Sequence, residues 1–262
     1  MLEDFDTKLT IAIQALDQGA PDKALDLLRK LASADPESLE VKSLLGEALI
    51  ETGQLHEGVR VLEDVAAKDP DDIDLQYTLG DAYFELGRSD DACKVYLAIV
   101  DRDPAQSDAL VSLGLVYFHQ ERFDQAETCY RKALECSPDS TFALNSLGDL
   151  CFDQGRMDDA RDCFQKALEL DQDDPQGYFN LAELHYDEGD LKQAERCCRE
   201  ALRRDPEFSF AHLTLGNICL DQDLVQEAVQ CFKAFLRMEK SPDSQDIRDE
   251  VSALLEGLQN EL

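Results

Sequence analysis

Hydrophobic residues recur along this chain at helical spacing, and the pattern itself repeats. Leu45, Leu79, Leu113, Leu147, Leu181 and Leu215 stand 34 residues apart, each followed by a small residue: Gly46, Gly80, Gly114, Gly148, Ala182 and Gly216. With that small residue as position 8 of a 34-residue register, positions 4, 7, 8 and 11 share one face of a helix, and positions 20, 24 and 27 share a face of a second. Ile11 and Ala12 occupy positions 7 and 8 of the first repeat. Position 20 reads Ala24, Gly58, Ala92, Ala126, Ala160, Ala194 and Ala228, small enough to let paired helices approach closely. Position 15 is glycine at Gly19, Gly53, Gly87, Gly155 and Gly189, where the first helix must end and the chain must turn; Glu121 and Asp223 depart from it. Position 32 is proline at Pro36, Pro70, Pro104, Pro138 and Pro206, a residue that cannot continue a helix.

The pattern predicts two amphipathic helices per repeat and seven repeats with no insertion: 5–38, 39–72, 73–106, 107–140, 141–174, 175–208 and 209–242. The remainder, 243–262, carries Ile247, Val251, Leu254, Leu255, Leu258 and Leu262 on one helical stripe. An open stack of helices needs a cap with a polar outer face, and this segment is the candidate. The same stripe could instead hold a second subunit.

Over residues 5–242 the chain resembles the tetratricopeptide repeat family, matching its leucine, glycine, alanine and proline positions in most repeats. The family's tryptophan at position 4 is missing, and its position-11 tyrosine survives as Tyr83 and Tyr117. The resemblance implies an all-α fold, a right-handed superhelical solenoid of helix-turn-helix repeats. It also implies that the first helices line a concave groove. A solenoid of this kind is a binder rather than an enzyme.

On a first helix, positions 2, 5, 9, 12 and 13 lie opposite the core stripe. Across the seven repeats, positions 2, 9 and 13 hold 14 acids in 21 places, where an even spread would give about five. They include Glu47, Glu51, Asp81, Glu85, Asp149, Asp153, Glu183, Asp187 and Asp221, and no Lys or Arg stands at any of the five positions. Only Lys8 and Lys42, both at position 4, put a base on a first helix. Position 12 supplies Phe84, Phe118, Phe152 and Tyr186 between the acidic stripe and the core, as a groove wall or as core. Phe142, Phe179 and Phe210, at positions 2 and 5, should be exposed and are candidate anchors for a partner's side chains.

A net charge of −32 disfavours nucleic acid and acidic lipid surfaces, whose recognition needs Lys and Arg. A basic protein or peptide is favoured by the same reasoning, although acidity also keeps a long surface soluble. Some tetratricopeptide domains grip acidic chaperone tails with basic groove residues; acids stand at those positions here. No stretch reads as a signal peptide or membrane segment, so a cytoplasmic protein is expected. Of nine cysteines, Cys129, Cys163, Cys197 and Cys231 fall on position 23, and Cys151 and Cys219 on position 11, as packing residues would. No Cys-x-x-Cys, phosphate loop or His-Glu-x-x-His occurs, which predicts no cofactor, no metal site and no catalysis. The sequence thus points to a scaffold or adaptor holding a basic, partly apolar segment in an acidic groove. The alternatives are self-association through the solenoid ends and a cysteine-based metal or redox regulator.

Overall fold

A computed structural model describes residues 2–241 and 244–261 of the chain. Among them there are fifteen α-helices and no strand. The chain divides into two compact bodies, between Cys136 and Ser137. The first holds α1 (Leu2–Asp17), α2 (Pro21–Ala34), α3 (Leu39–Glu51), α4 (Leu55–Ala66), α5 (Ile73–Glu85), α6 (Ser89–Arg102), α7 (Ser107–His119) and α8 (Phe123–Cys136). The second holds α9 (Thr141–Asp153), α10 (Met157–Leu170), α11 (Pro175–Asp187), α12 (Leu191–Arg204), α13 (Ser209–Asp221), α14 (Val225–Met238) and α15 (Gln245–Glu261). Apart from α1, which starts at Leu2, the odd-numbered helices up to α13 begin at the first position of the 34-residue register.

Local chemistry sets these boundaries. Ser38, Asp72, Ser140 and Asp174 stand at the last register position and accept hydrogen bonds from the backbone N–H of Val41, Leu75, Ala143 and Gly177. These are N-caps for otherwise unpaired helix donors. At the other end Gly53 has φ +76°, and the Gln54 N–H reaches back to the Leu49 carbonyl at 2.7 Å. Gly87 repeats the motif, with the Arg88 N–H on the Tyr83 carbonyl at 2.8 Å. Glu121 (φ 58°) and Asp223 (φ 60°) take the same left-handed conformation without being glycine. The turn is therefore imposed by its six-residue hydrogen-bonded closure, and glycine only makes it cheaper.

Position 8 meets position 24 across each helix pair. A Cβ built on Gly46 would lie 2.2 Å from Leu62 Cδ2, on Gly80 2.6 Å from Tyr96 Cζ, and on Gly148 2.3 Å from Phe164 Cε1. Where position 8 is Ala182, position 24 is the smaller Cys198, and both are fully buried in one core cluster. In the first repeat Ala12 stands with Leu28, whereas every aromatic at position 24 (Tyr96, Tyr130, Phe164 and Phe232) faces a glycine, so it is the ring that requires the missing Cβ.

Within each body the first helices of successive pairs touch: α1 with α3, α3 with α5 and α5 with α7; then α9 with α11 and α11 with α13. Second helices make no such contacts with one another among the described residues. In each body the stack is therefore tighter on the side of the first helices, which makes that side the inner one. α15 packs against α14, with Val251 buried and Leu255 and Leu258 packed on the core. Ile247 (37% exposed) and Leu254 (40%) face solvent, so only part of the expected stripe is used; Leu262 lies outside the described residues. Ile11 also departs from expectation: it is 48% exposed, because no described helix lies before α1 to cover it.

Candidate functional site

Two kinds of contact join neighbouring first helices on the inner surface, the first of them seen in both bodies. Position 12 of one helix meets position 13 of the next. Phe84 packs edge-on against His119 at 4.9 Å, and the Tyr186 hydroxyl donates to Asp221 Oδ2 at 2.8 Å. Position 6 of one helix meets position 9 of the helix before it: the Thr214 hydroxyl donates to Glu183 Oε1 at 3.1 Å.

In the first body, Glu51, Asp81 and Glu85 are exposed and Glu47 is half-buried. Phe84 and Phe118 are half-buried and flank His119, forming an aromatic wall beside these acids. Asp81 has a partner that the charge pattern did not reveal. The Tyr96 ring passes over Gly80, and its hydroxyl donates to Asp81 Oδ1 at 2.5 Å. The missing side chain at position 8 is what lets a second-helix tyrosine reach the inner surface.

In the second body, Asp149, Asp153, Asp187 and Asp221 are exposed, and Phe152, Glu183 and Tyr186 are half-buried. Of the three aromatics expected to be exposed, only Phe142 is, at 48%. Phe179 is half-buried against Phe208, ring centres 4.9 Å apart. Phe210 packs on the core beside Phe235 at 5.9 Å. Their partners come from other segments of the fold, which a single-helix projection does not contain.

No basic side chain pairs with Glu47, Glu51, Asp81, Glu85, Asp149, Asp153, Glu183, Asp187 or Asp221 among the described residues. The carboxyl groups respond as crowded acids should. Asp149 is reachable by solvent, yet protein occupies most of the volume around it. That desolvation, with repulsion from Asp153 and Glu183, pushes its pKa up to about 7. Desolvation, then Glu51, Asp72 and Asp74, raises Glu47. Desolvation and Asp187 raise Glu183, against the opposing hydrogen bond from Thr214.

Two amides of the first helices, Asn145 and Asn180, stand at different register positions and are not picked out by the repeat pattern. Asn145 Oδ1 and Asn180 Nδ2 are buried and have no hydrogen-bond partner among the described residues. Asn180 is 7% exposed, and its Oδ1 accepts from Gln176 Nε2 at 2.6 Å.

The cysteines are mainly packing residues. Cys93, Cys129, Cys151, Cys198 and Cys219 are buried, whereas Cys136 is exposed. Burial pushes the Cys198 thiol up to about 12 and those of Cys129 and Cys231 to about 11, which disfavours thiolate chemistry at neutral pH. No group of three or more metal-ligating side chains occurs among the described residues. No helix among them is long and apolar enough to cross a membrane.

Family models for the tetratricopeptide repeat match residues 15–72, 53–112, 105–173, 139–207 and 179–244. No curated protein sequence matches the chain significantly. Among solved structures, a tetratricopeptide repeat protein from Parabacteroides merdae superposes with a TM-score of 0.82 at 20% identity, over 97% of this chain and 99% of that one. A structure of MamA protein gives 0.57 at 26% identity, over 66% of this chain and 94% of that one. The Cut9-Hcn1 hetero-tetramer of APC/C gives 0.71 at 15% identity, over 92% of this chain and 48% of the matched one.

Proposed function

The chain belongs to the tetratricopeptide repeat family, an all-α repeat solenoid used as a protein-interaction scaffold; on that premise we propose that it is a non-enzymatic adaptor holding a basic, partly apolar protein segment along its first helices. The reading rests chiefly on one observation: among the described residues these inner-surface acids have no basic partners, while the ion pairs that do form lie mainly on the second helices and turns. A solvated surface built only for solubility mixes signs. An unneutralised stripe beside half-buried rings attracts a cation at long range and offers apolar contact once it docks. We assign Glu47, Glu51, Asp81, Glu85, Asp149, Asp153, Glu183, Asp187 and Asp221 to charge recognition. Phe84, Phe118, Phe142, Phe152 and Tyr186 are the apolar contacts, and Phe179 and Phe210 support them from partly buried positions.

The test is fluorescence anisotropy with a labelled peptide of alternating arginine and leucine and a glutamate–leucine control. The basic peptide should bind at low salt and lose about tenfold or more in affinity when salt rises from 0.05 to 0.5 M (roughly a threefold shorter screening length). A variant carrying lysine in place of Glu47, Asp81, Asp149 and Glu183 should not bind it. Salt-independent binding, or binding that survives the charge reversal, refutes the adaptor reading.

A second reading is favoured by the exposure of Ile11 at one end of the chain and of Ile247 and Leu254 on α15 at the other. These patches suit association of copies end to end. Sedimentation of the wild type against an Ile11→Glu, Leu254→Glu variant tests it. A concentration-dependent oligomer lost in the variant supports association, and monomers in both exclude it.

A further inference from the structure

The outward face of the second helices reverses sign near the end of the chain. Register positions 18, 22, 25 and 29 are spaced i, i+4, i+7 and i+11, which puts them within about 60° of one another on a helix. On α12 they are Lys192, Arg196, Arg199 and Arg203, all exposed. On α14 they are Gln226, Gln230, Lys233 and Arg237, again all exposed. In the first five repeats the same positions hold ten acids and four bases in 20 places, whereas in the last two they hold six bases and no acid in eight. An even spread of the chain's bases would put about one in those eight places.

Of these six bases, Lys192, Arg196, Lys233 and Arg237 make no ion pair among the described residues. The acids beside them are already engaged: Glu195 and Glu227 with Arg199 at 2.9 and 3.3 Å, and Glu200 with Arg203 at 3.1 Å and Arg204 at 2.6 Å. The Arg199–Glu227 bridge also sets α12 and α14 side by side on the outer surface. From Lys192 to Arg203 the α12 stripe runs about 16 Å. Acids bound the patch on both sides. α10 carries Asp158, Asp162 and Glu169 at the same register positions, and α15, packed on α14, carries exposed Asp246, Asp249 and Glu250.

Solubility does not account for this patch, because bases on a chain of net charge −32 reduce the charge that keeps its copies apart. At physiological salt a charge is felt over about 8 Å, so a ligand responds to the groups it lies against rather than to the total. A nucleic-acid duplex or an anionic membrane has a footprint wider than two helices and would meet the bounding acids as well. A short acidic segment would not. We propose that the outer face of α12 and α14 is a second docking surface, separate from the inner one, for a short acidic segment of another protein. Its carboxylates pair with Lys192, Arg196, Lys233 and Arg237, which have no internal ion pair to give up. Pairs so exposed to water are individually weak and salt-dependent, which suits a transient partner. The proposal does not rest on the reading of the inner surface.

The experiment is fluorescence anisotropy of the full chain at low salt with a labelled glutamate–alanine peptide and a glutamine–alanine control. The acidic peptide should bind and the control should not. Lys192→Glu with Arg196→Glu breaks no ion pair found among the described residues and should weaken binding about tenfold or more. Lys192→Gln with Arg196→Gln should give a smaller loss. Lys23→Glu with Lys30→Glu makes the same change in net charge on α2, where both bases are exposed and make no ion pair among the described residues; it should leave affinity within about twofold. The glutamate–leucine peptide set against the inner surface above should bind weakly and be lost with the α12 pair. Failure of the wild type to bind the acidic peptide, or equal losses in the two glutamate variants, would overturn the proposal. Duplex DNA or phosphatidylserine vesicles bound more tightly than the peptide would overturn the assignment to a protein segment.

Discussion

Replacing Gly148 by alanine would put a Cβ 2.3 Å from Cε1 and 2.6 Å from Cδ1 of Phe164, a ring that is 2% exposed. Carbon atoms rest at roughly 3.5–4.0 Å, so ring and helix must separate by more than about 1 Å or distort. Overpacking of this kind costs about 1–3 kcal/mol, and the better helix propensity of alanine returns about 1 kcal/mol. The single change should therefore destabilise by up to about 2 kcal/mol. Phe164→Cys alone empties a buried site and should cost about 3 kcal/mol or more. Together the two changes recreate the Ala182–Cys198 combination found one repeat later. The new methyl then enters space the ring has left, so the double variant should be more stable than the sum of the singles by about 1–2 kcal/mol. Urea unfolding followed by far-UV circular dichroism reads this coupling; fitting with a nearest-neighbour model allows for the loose cooperativity of repeat proteins. Strict additivity within about 0.5 kcal/mol would refute the claim that the ring at position 24 requires the missing Cβ at position 8.

Glu121→Gly and Asp223→Gly should each raise the free energy of unfolding by up to about 1 kcal/mol, seen as a higher urea midpoint, because both residues sit at φ near 60°; an unchanged or lower midpoint would show the side chains contribute more than the backbone strain. Asp149→Asn should stabilise the protein above pH 7 and do little below pH 4, as read by thermal melts across pH. The sign follows from the raised pKa: between the ordinary carboxyl value and about 7 the folded state holds the extra proton, so wild-type stability falls as pH rises through that window. Val251→Asp buries a charge at a site that is 5% exposed and should release α15, read as faster amide exchange in α14 and α15 with little change in α9; uniform exchange would argue against a separable cap.

The helix boundaries were legible because each is fixed within a few residues. Ser38 and Asp72 cap helices that follow them directly, and Gly53 and Gly87 turn the chain through bonds spanning six residues. The acidic stripe was legible for a related reason, since a helix projection needs only one helix. What failed was each inference that needed a second one. Phe210 projects outward on α13 taken alone, but in the fold it meets Phe235 of α14. Ile11 projects inward at position 7, but nothing described lies before α1 to cover it. The Tyr96–Asp81 bond depends on a ring crossing Gly80, and the unsatisfied amides of Asn145 and Asn180 depend on what their neighbours do not supply. The departures at Glu121 and Asp223 left the turn intact because the backbone closure, rather than the residue type, defines it.

The one-signed inner surface has a counterpart on the second helices and turns. There the bases pair across successive helix pairs: Arg29 of α2 with Glu57 of α4 at 3.0 Å, Arg88 with Glu63 of α4 at 3.2 Å, Arg102 of α6 with Asp71 at 3.1 Å, and Arg199 of α12 with Glu227 of α14 at 3.3 Å. Arg161 of α10 pairs with Glu188 in the same manner. These partners lie 25 to 31 residues apart in the chain, so each bridge joins one repeat to the next. All are exposed enough that each contributes about 1 kcal/mol or less. They do not hold the stack together; the buried faces of the helices do. Their larger consequence is where they leave the remaining charge. Lys42, one of two bases on first helices, is itself turned outward to Asp64 of α4 at 2.8 Å. With Lys42 so engaged, and no other Lys or Arg after Lys8 on a first helix, the inner acids listed above stay without an ion-pair partner among the described residues. Ion pairing thus joins successive repeats along the second helices and turns, while the first helices carry acids that no such pair neutralises among the described residues.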